Sequence, residues 1–477
     1  MPKYYLAVDI GASGGRHYAG HLEGNALRID EIHRFANGPE HDGQSLVWDS
    51  EGIFDEILTG MKKCREAGVV PVSVGVDAWG VDYALLDKDM KRIGKSYAYR
   101  DRRTVGMDAR FDETMAPGEL YGRTGIQRIP INTLYQLMAH MDREPGDFDI
   151  ARRLLMLPDY FHFLLAGEMC SEYTDATTTG LVNALTKDWD DAVMSAAGIP
   201  RLLFNELHLP GTRLGKLRRD IADEIGFSCD VVLPCTHDTA SAVAALPDAR
   251  ADGKNGPLYV SSGTWSLFGC ESDEPQLSEK SRVMNLTNEG GYGYRYCLLK
   301  NIMGLWMIQS VRREIAPGMS FDEIAAAASA AVIDGNVDCE DAAFLSPDSM
   351  CGAIRDWRCE RGLREPEGVG ETAAVIYAGL ADSYAANATG LADVTGRQFE
   401  DIYIIGGGSK DDYLNGLTAR GTGMTVHAGP AEAAAIGNIL VQMISDGEFS
   451  DLSEARRCVA DSFEIKRYEG GDADAAN

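Results

Sequence analysis

Residues 4–16 read YYLAVDIGASGGR, and this stretch limits the possible folds more than any other. Residues 4–10 are apolar except for Asp9, the pattern of a short strand buried on both faces. A charged, unpaired aspartate inside such a strand is expensive. It calls for a metal ion or a hydrogen-bonded turn. Gly11, Ala12, Ser13, Gly14 and Gly15 follow at once, then Arg16. Small residues let backbone N–H groups converge on an anion with no side chain in the way. The stretch reads as strand, phosphate-cradling turn, strand, with Asp9 placed to hold a Mg²⁺ and its water beside the phosphates. An ordinary glycine-rich hairpin with a structural aspartate is the alternative, and these residues alone do not separate the two. No Lys-Ser or Lys-Thr follows the glycines, which excludes a P-loop. The G-x-G-x-x-G spacing is missing, which excludes the dinucleotide fingerprint.

With 477 residues the chain has room for two to four domains. Its 73 acidic and 45 basic residues give a net charge of −28, which repels nucleic acid and anionic membrane surfaces. Any phosphate site must therefore be built locally, from backbone dipoles, a metal and a few basic side chains. No secretory leader and no run of 18 apolar residues is present, so a cytoplasmic protein with no membrane span is expected. The ten cysteines include no C-x-x-C pair, although Cys229 and Cys235, or Cys351 and Cys359, lie near each other in sequence. Reduced, mostly buried thiols are expected, and zinc is not.

Along the chain, residues 50–67 carry Ile53, Phe54, Ile57, Leu58 and Met61 at helical spacing, ended by Gly68. A strand over 72–76 then delivers Asp77, Trp79 and Gly80 to its C-terminal end, where open α/β sheets bind ligands. Trp79 is either core or a platform for a sugar. Residues 99–103, Tyr-Arg-Asp-Arg-Arg, read as a solvated loop or as contacts to hydroxyls and phosphates. Residues 118–200 look mostly helical, with Asn132 as the N-cap of one helix and Pro158 near the start of another. The hydroxyl-rich run 174–180 reads as a polar loop. A strand over 231–236 leads to His237, Asp238 and Thr239 at the head of an alanine-rich helix. An isolated Asp at a helix start is usually a cap. Its neighbours His237 and Thr239, and a strand end shared with Asp9 and Asp77, favour a functional role.

Residues 247–256 have linker composition. After them the opening device recurs: 258–267 is again strand, small-residue turn, strand, and 401–409 is a buried strand ending in glycines. A helix is expected from about 432 to 443, and a disordered tail after Tyr468. Two halves on one plan would clamp a nucleotide between facing turns.

The residues Asp9-Ile-Gly-Ala-Ser, His237-Asp-Thr-Ala-Ser-Ala-Val, Ser261-Ser-Gly-Thr-Trp-Ser and Gly406-Gly-Gly resemble the FGGY carbohydrate kinases. The resemblance implies an α/β fold of two actin-like, ribonuclease H-like domains around a central cleft, as in the actin, Hsp70 and hexokinase superfamily. It implies an N-terminal domain over 1–247 with the sugar site and base, a nucleotide-binding domain over 257–460, and a tail over 461–477. Ala12, Ser13, Gly14, Gly15 and Arg16 would cradle the ATP phosphates, with Asp9 near Mg²⁺. Trp79, Gly80, His237, Thr239 and Asn301 would face the sugar, and Asp238 would be the catalytic base. Thr264, Gln309 and Gly408 would meet the nucleotide. Gly14 stands where relatives are expected to carry a second hydroxyl residue, so phosphate contacts there fall to backbone N–H groups.

Further motifs, 75–82 GVDAWGVD, 132–137 NTLYQL, 287–291 TNEGG and 299–306 LKNIMGLW, point within the family to L-rhamnulose as the sugar. The reaction implied is L-rhamnulose and MgATP giving L-rhamnulose 1-phosphate and ADP, in L-rhamnose catabolism. L-Fuculose, xylulose or glycerol are the rival acceptors within the family. An actin-like or Hsp70-like ATPase, or a sugar-responsive repressor, are rivals of other classes. The chain shows neither a β-rich extension after 460 nor a basic helix-turn-helix before Tyr4.

Overall fold

In a computed structural model the chain is described over residues 2–248, 256–345 and 347–471. Its core is built around the opening hairpin. Strand Tyr4–Gly11 runs antiparallel to Gly14–Glu23, with Gly11 opposite Gly14, so Ala12 and Ser13 form a two-residue tip. Strand Pro71–Ala78 lies parallel on the other side, in the register Asp9 to Asp77. The whole sheet has the order 213–216, 230–232, 71–78, 4–11, 14–23, 26–36. Helix Ser50–Glu66 starts at Asp49, whose Oδ1 accepts from Gly52 N at 2.9 Å. Its Ile53, Ile57, Leu58 and Met61 pack into one core with Leu6, Val8, Val74 and Val76.

Six strands of a second sheet repeat this plan, in the order 466–468, 425–428, 401–405, 258–262, 266–272, 296–302. Leu258–Ser262 pairs antiparallel with Ser266–Ser272 and parallel with Asp401–Ile405, as Tyr4–Gly11 does with its own neighbours. The outer pairs correspond as well. Arg213–Lys216 and Lys466–Tyr468 each add antiparallel to a strand that is itself parallel to the central one. The repeat expected from element order alone is present strand for strand.

The chain forms two compact units that interleave in sequence. One comprises 1–249, 272–298 and 433–462; the other comprises 250–271, 299–432 and 463–477. By contact, segments 272–298 and 433–462 thus group with the first unit, to which the chain returns twice. The second return is driven by helix Ala433–Ser445, apolar on nearly every side, which covers the inner strands of the first sheet. The segment 461–477, expected as a tail, holds a strand ending at Tyr468. Lys466–Tyr468 is a sheet strand, tied by Lys466 Nζ and Tyr468 OH to Asp412 at 2.9 and 2.6 Å. Residues 472–477 and most of the expected linker 247–256 lie outside the described residues.

Other local readings change for identifiable reasons. Run 174–180 is no polar loop: Tyr173–Thr178 is a helix with every residue buried. Its hydroxyls bond back to carbonyls three residues earlier, Thr177 to Thr174, Thr178 to Asp175 and Thr179 to Ala176, at 2.6–2.7 Å. That removes the cost of burying them. Asn132 precedes helix Thr133–Arg143 but caps nothing with its side chain, which donates instead to Gln127 O at 2.8 Å. Asp101 and Arg103 are buried, Asp101 accepting from Leu46 N and Arg103 stacking on Tyr97, so 99–103 is not a solvated loop. Eight of the ten cysteines are buried; Cys351 is half-buried and Cys359 exposed. No helix among the described residues is long and apolar enough to cross a membrane.

Candidate active site

The first unit gathers its acids at the C-terminal ends of two parallel strands. Asp9 and Asp77 are in register on adjacent strands, so their side chains leave the same face of the sheet. A parallel bridge between Ala78 and His237 then brings the head of helix Asp238–Ala244 to the end of strand 71–78. His237 occupies the N-cap position and Asp238 is the first helical residue, so Asp238 is not a side-chain cap. Its Oδ1 accepts from Thr239 Oγ1 at 3.2 Å.

The electrostatics follow from burial and like charge. Asp77 is fully buried and held well above the usual carboxylate range, first by desolvation and then by the charge of Asp9, with Asp238 adding to it. Its Oδ2 accepts from Asn438 Nδ2 at 2.6 Å, whereas its buried Oδ1 has no protein partner. Asp238 is pushed up to about 7, first by its surroundings and then by Asp9. Its side chain nevertheless keeps 31% of its surface exposed, so a substrate can reach it. His237 is pushed down to about 4 by burial and is neutral at physiological pH. Its Nε2 lies 3.6 Å from Asp238 Oδ1, and its Nδ1 lies 3.4 Å from Glu289 Oε2.

Helix Tyr173–Thr178 ties these pieces together. Thr174 Oγ1 accepts from His237 N at 3.3 Å, and Glu172 accepts from Thr236 N and Oγ1 at 3.1 and 2.7 Å. Thr177 Oγ1 accepts from Gly290 N at 2.7 Å, next to Glu289. Thr178 Oγ1 accepts from Val81 N at 3.1 Å, and a Cβ on Gly80 would come within 2.9 Å of the Thr178 side chain. Gly80, His237, Asp238 and Thr239 are thus brought together in this unit.

Trp79 is corrected to a core residue. It is 6% exposed, its ring centroid lies 4.2 Å from that of Trp48, and both indole N–H groups donate to Asp82 Oδ2. Little of its ring is left to face a sugar. The hairpin tip presents half-buried Ala12 and exposed Ser13, with Gly14 pairing at its base and Arg16 directly opposite Asp9. Gly15 has a packing reason to lack a side chain, because a Cβ there would sit 2.1 Å from the Phe35 ring.

The second unit holds the other expected residues. Thr264 lies in the hairpin turn, and its carbonyl accepts from Trp306 N at 2.9 Å. That fixes the start of helix Trp306–Ile315, which carries the half-buried Gln309. Gly408 packs so closely that a Cβ would meet Ser262 Oγ at 1.9 Å and Leu305 Cδ1 at 3.1 Å. Thr264, Gln309 and Gly408 are therefore on neighbouring elements. Asn301 is half-buried on strand Tyr296–Ile302, in this unit.

Glu289, Asp175 and Asn438 were not among the expected site residues, and Asp77 was expected at a strand end with no ligand role of its own. Glu289 lies inside a motif that flagged its region. Asp175 was hidden in a run read as a loop, and Asn438 interrupts an apolar helix with no local sign of its partner Asp77. The donor set suits Mg²⁺: Asp9 and Asp77 offer hard oxygens, Asp77 has an orphaned oxygen, and their mutual repulsion is what a divalent cation relieves.

Residues 4–245 and 258–445 match the N-terminal and C-terminal domains of the FGGY family of carbohydrate kinases. A protein named rhamnulokinase from Halalkalibacterium halodurans is 44% identical, over 98% of this chain and 99% of its own. Rhamnulokinases of Oceanobacillus iheyensis and Bacillus subtilis are 41% and 39% identical, each over 98% of this chain and over 98% and 96% of their own. The fold is similar to that of a ligand-bound xylulose kinase from Lactobacillus acidophilus, with a TM-score of 0.79, 14% identity and coverage of 98% and 94%. It is also similar to a Plasmodium falciparum glycerol kinase with ADP, with a TM-score of 0.77, 12% identity and the same coverage. With both domains matched in order and relatives aligned end to end, the chain belongs to the FGGY family of carbohydrate kinases.

Proposed function

We propose that this kinase transfers the γ-phosphoryl group of ATP to the C1 hydroxyl of L-rhamnulose, giving L-rhamnulose 1-phosphate and ADP. The sugar assignment is supported by the names of the full-length relatives. The chemistry is supported by one observation above all: an accessible carboxylate, Asp238, whose proton affinity is set near neutrality. A general base works best when its pKa lies near the working pH.

In this reading Asp238 takes the proton of the attacking hydroxyl. His237, Thr239 and Gly80 line the sugar site, where Gly80 lets the chain pack closely against Thr178 of the 173–178 helix. Residues 12–16, Thr264, Gln309 and Gly408 hold the nucleotide, with Asn301 contacting whichever substrate reaches it. Mg²⁺ held by Asp9 and Asp77 supplies charge neutralisation for the phosphates. The segment up to 247 carries the sugar chemistry and the 12–16 phosphate turn, and 257–460 carries the other nucleotide contacts, apart from the returning segments 272–298 and 433–462. A cytoplasmic setting fits a chain with eight of its ten cysteines buried and no C-x-x-C pair, and the charge of −28 disfavours a nucleic-acid partner.

A coupled ADP-release assay over L-rhamnulose, L-fuculose, L-xylulose and glycerol tests the assignment. L-Rhamnulose should give the highest kcat/KM and glycerol essentially none. Phosphorus–proton NMR of the product should show coupling to two C1 protons. Coupling to a ring methine, or a preference for glycerol, would overturn the assignment.

A further inference from the structure

Glu289 sits on strand Thr287–Gly290 and is 7% exposed, yet its Oε2 has no hydrogen-bond partner. The facing atom, His237 Nδ1, is equally buried and equally unpartnered. They lie 3.4 Å apart without forming a bond of their own. Two orphaned buried atoms of opposite capability, facing each other beside an accessible base, are costly unless a third group joins them. We propose that Glu289 and His237 together hold one hydroxyl of the sugar, which makes Glu289 a specificity-determining residue of the kinase.

The protonation pattern agrees with this geometry. Neutral His237 has one N–H and one bare nitrogen. With the proton on Nε2, the N–H faces the Asp238 carboxylate and the bare Nδ1 faces Glu289. An ionised Glu289 would then oppose a nitrogen lone pair, whereas a protonated one offers a donor. Burial, followed by the charge of Asp238, does push Glu289 up to about 8. The elements packed against its strand bring further acids, Glu172 and Asp175, and both are themselves raised by burial. Arg295, the next basic residue along the chain, is directed at Asp273 at 3.8 Å. A sugar hydroxyl accepts from the Glu289 O–H and donates to His237 Nδ1, which satisfies both atoms at once. A site built to bond a hydroxyl rejects a sugar that lacks it, or places it differently, far more strongly than an apolar pocket rejects a methyl.

This inference rests on the sugar-kinase reading above. Its test is the sugar KM of Glu289→Ala and Glu289→Gln, measured on L-rhamnulose and on its C4 epimer L-fuculose between pH 6.5 and 9. Glu289→Ala should raise the KM for the preferred ketose by roughly 10–100-fold, leave the KM for ATP within about twofold, and narrow the gap between the two epimers. The wild-type sugar KM should climb above pH 8 as Glu289 ionises. Glu289→Gln keeps a donor that cannot ionise, and its KM should stay flat to pH 9. An unchanged sugar KM in Glu289→Ala overturns the proposal. Should that variant not fold, the same pH-dependent climb in Glu289→Gln and wild type overturns it instead. A wild-type enzyme that prefers another ketose of the panel overturns only the L-rhamnulose assignment, and Glu289 is then judged on that ketose. A wild-type protein that neither binds nor phosphorylates any of them overturns both.

Discussion

Asp238 illustrates how one residue acquires its chemistry from its surroundings. An exposed aspartate is too weak a base to help a sugar hydroxyl, whereas Asp238 is lifted to about 7 by its environment and by Asp9. Asp238→Asn keeps the shape of the helix start but removes the proton acceptor. It should lower kcat by roughly 10²–10⁴ with little change in either KM, as read in the ADP-release assay. Near-wild-type turnover in a folded variant would mean that another group is the base. The same carboxylate weighs on stability. Its folded-state pKa is raised, so its contribution is intact below about pH 4 and is lost as pH rises through 7. Thermal unfolding without ligands should therefore show the Asn variant gaining on wild type from pH 4 to pH 8.

Among the elements, helix Ala433–Ser445 does most to place the site. Asn438 donates to Asp77 and to Gly75 O, while Gln442 donates to Leu6 O and accepts from Ser73 Oγ. The helix thus reads the backbone and acids of both inner strands of the first sheet. It also lies directly against helix 238–244, because a Cβ on Gly437 would meet Ser241 O at 1.7 Å. Arg456, fully buried on the next helix, donates to the carbonyls of Val243 and Ala244 and closes the far end of the Asp238 helix. Gly437→Ala should force the two helices apart. A loss of about 1–3 kcal/mol is expected in urea unfolding, with a fall in kcat as Asp238 shifts. Wild-type stability and turnover in this variant would mean that the contact relaxes at no cost.

At the scale of the whole molecule, each sheet repeats the other, but the chain does not divide where the repeat does. Residues 272–298 and 433–462 belong to the first unit. A fragment of residues 1–249 should therefore not fold by itself. It would expose the surface under helix 433–445 and leave Asp77, Ser73 and Leu6 O without Asn438 and Gln442. Circular dichroism and limited proteolysis should find a loosely packed species, and adding residues 433–462 in trans should restore protection. A cooperatively folded 1–249 fragment would contradict this reading of the unit.

What the sequence determined by itself was local and periodic. A buried strand ending in Asp and glycines is visible from residues 4–16 because apolar runs and small-residue turns are short-range signals. The same holds for helix 50–66, for strands 71–78 and 401–405, and for His237-Asp238 at the head of its helix. Tertiary structure decided whatever depended on partners distant in sequence. It turned the threonine run 174–178 from an expected loop into a buried helix, because neighbouring elements excluded water and its hydroxyls could bond their own backbone. It moved Trp79 into the core, since Asp82 and Trp48 were there to receive it. It set Glu289 against His237 and Asn438 against Asp77, pairs separated by 52 and 361 residues, which no pattern within one element encodes. The pKa values follow the same rule, for desolvation and like-charge repulsion exist only once the chain has brought its acids together.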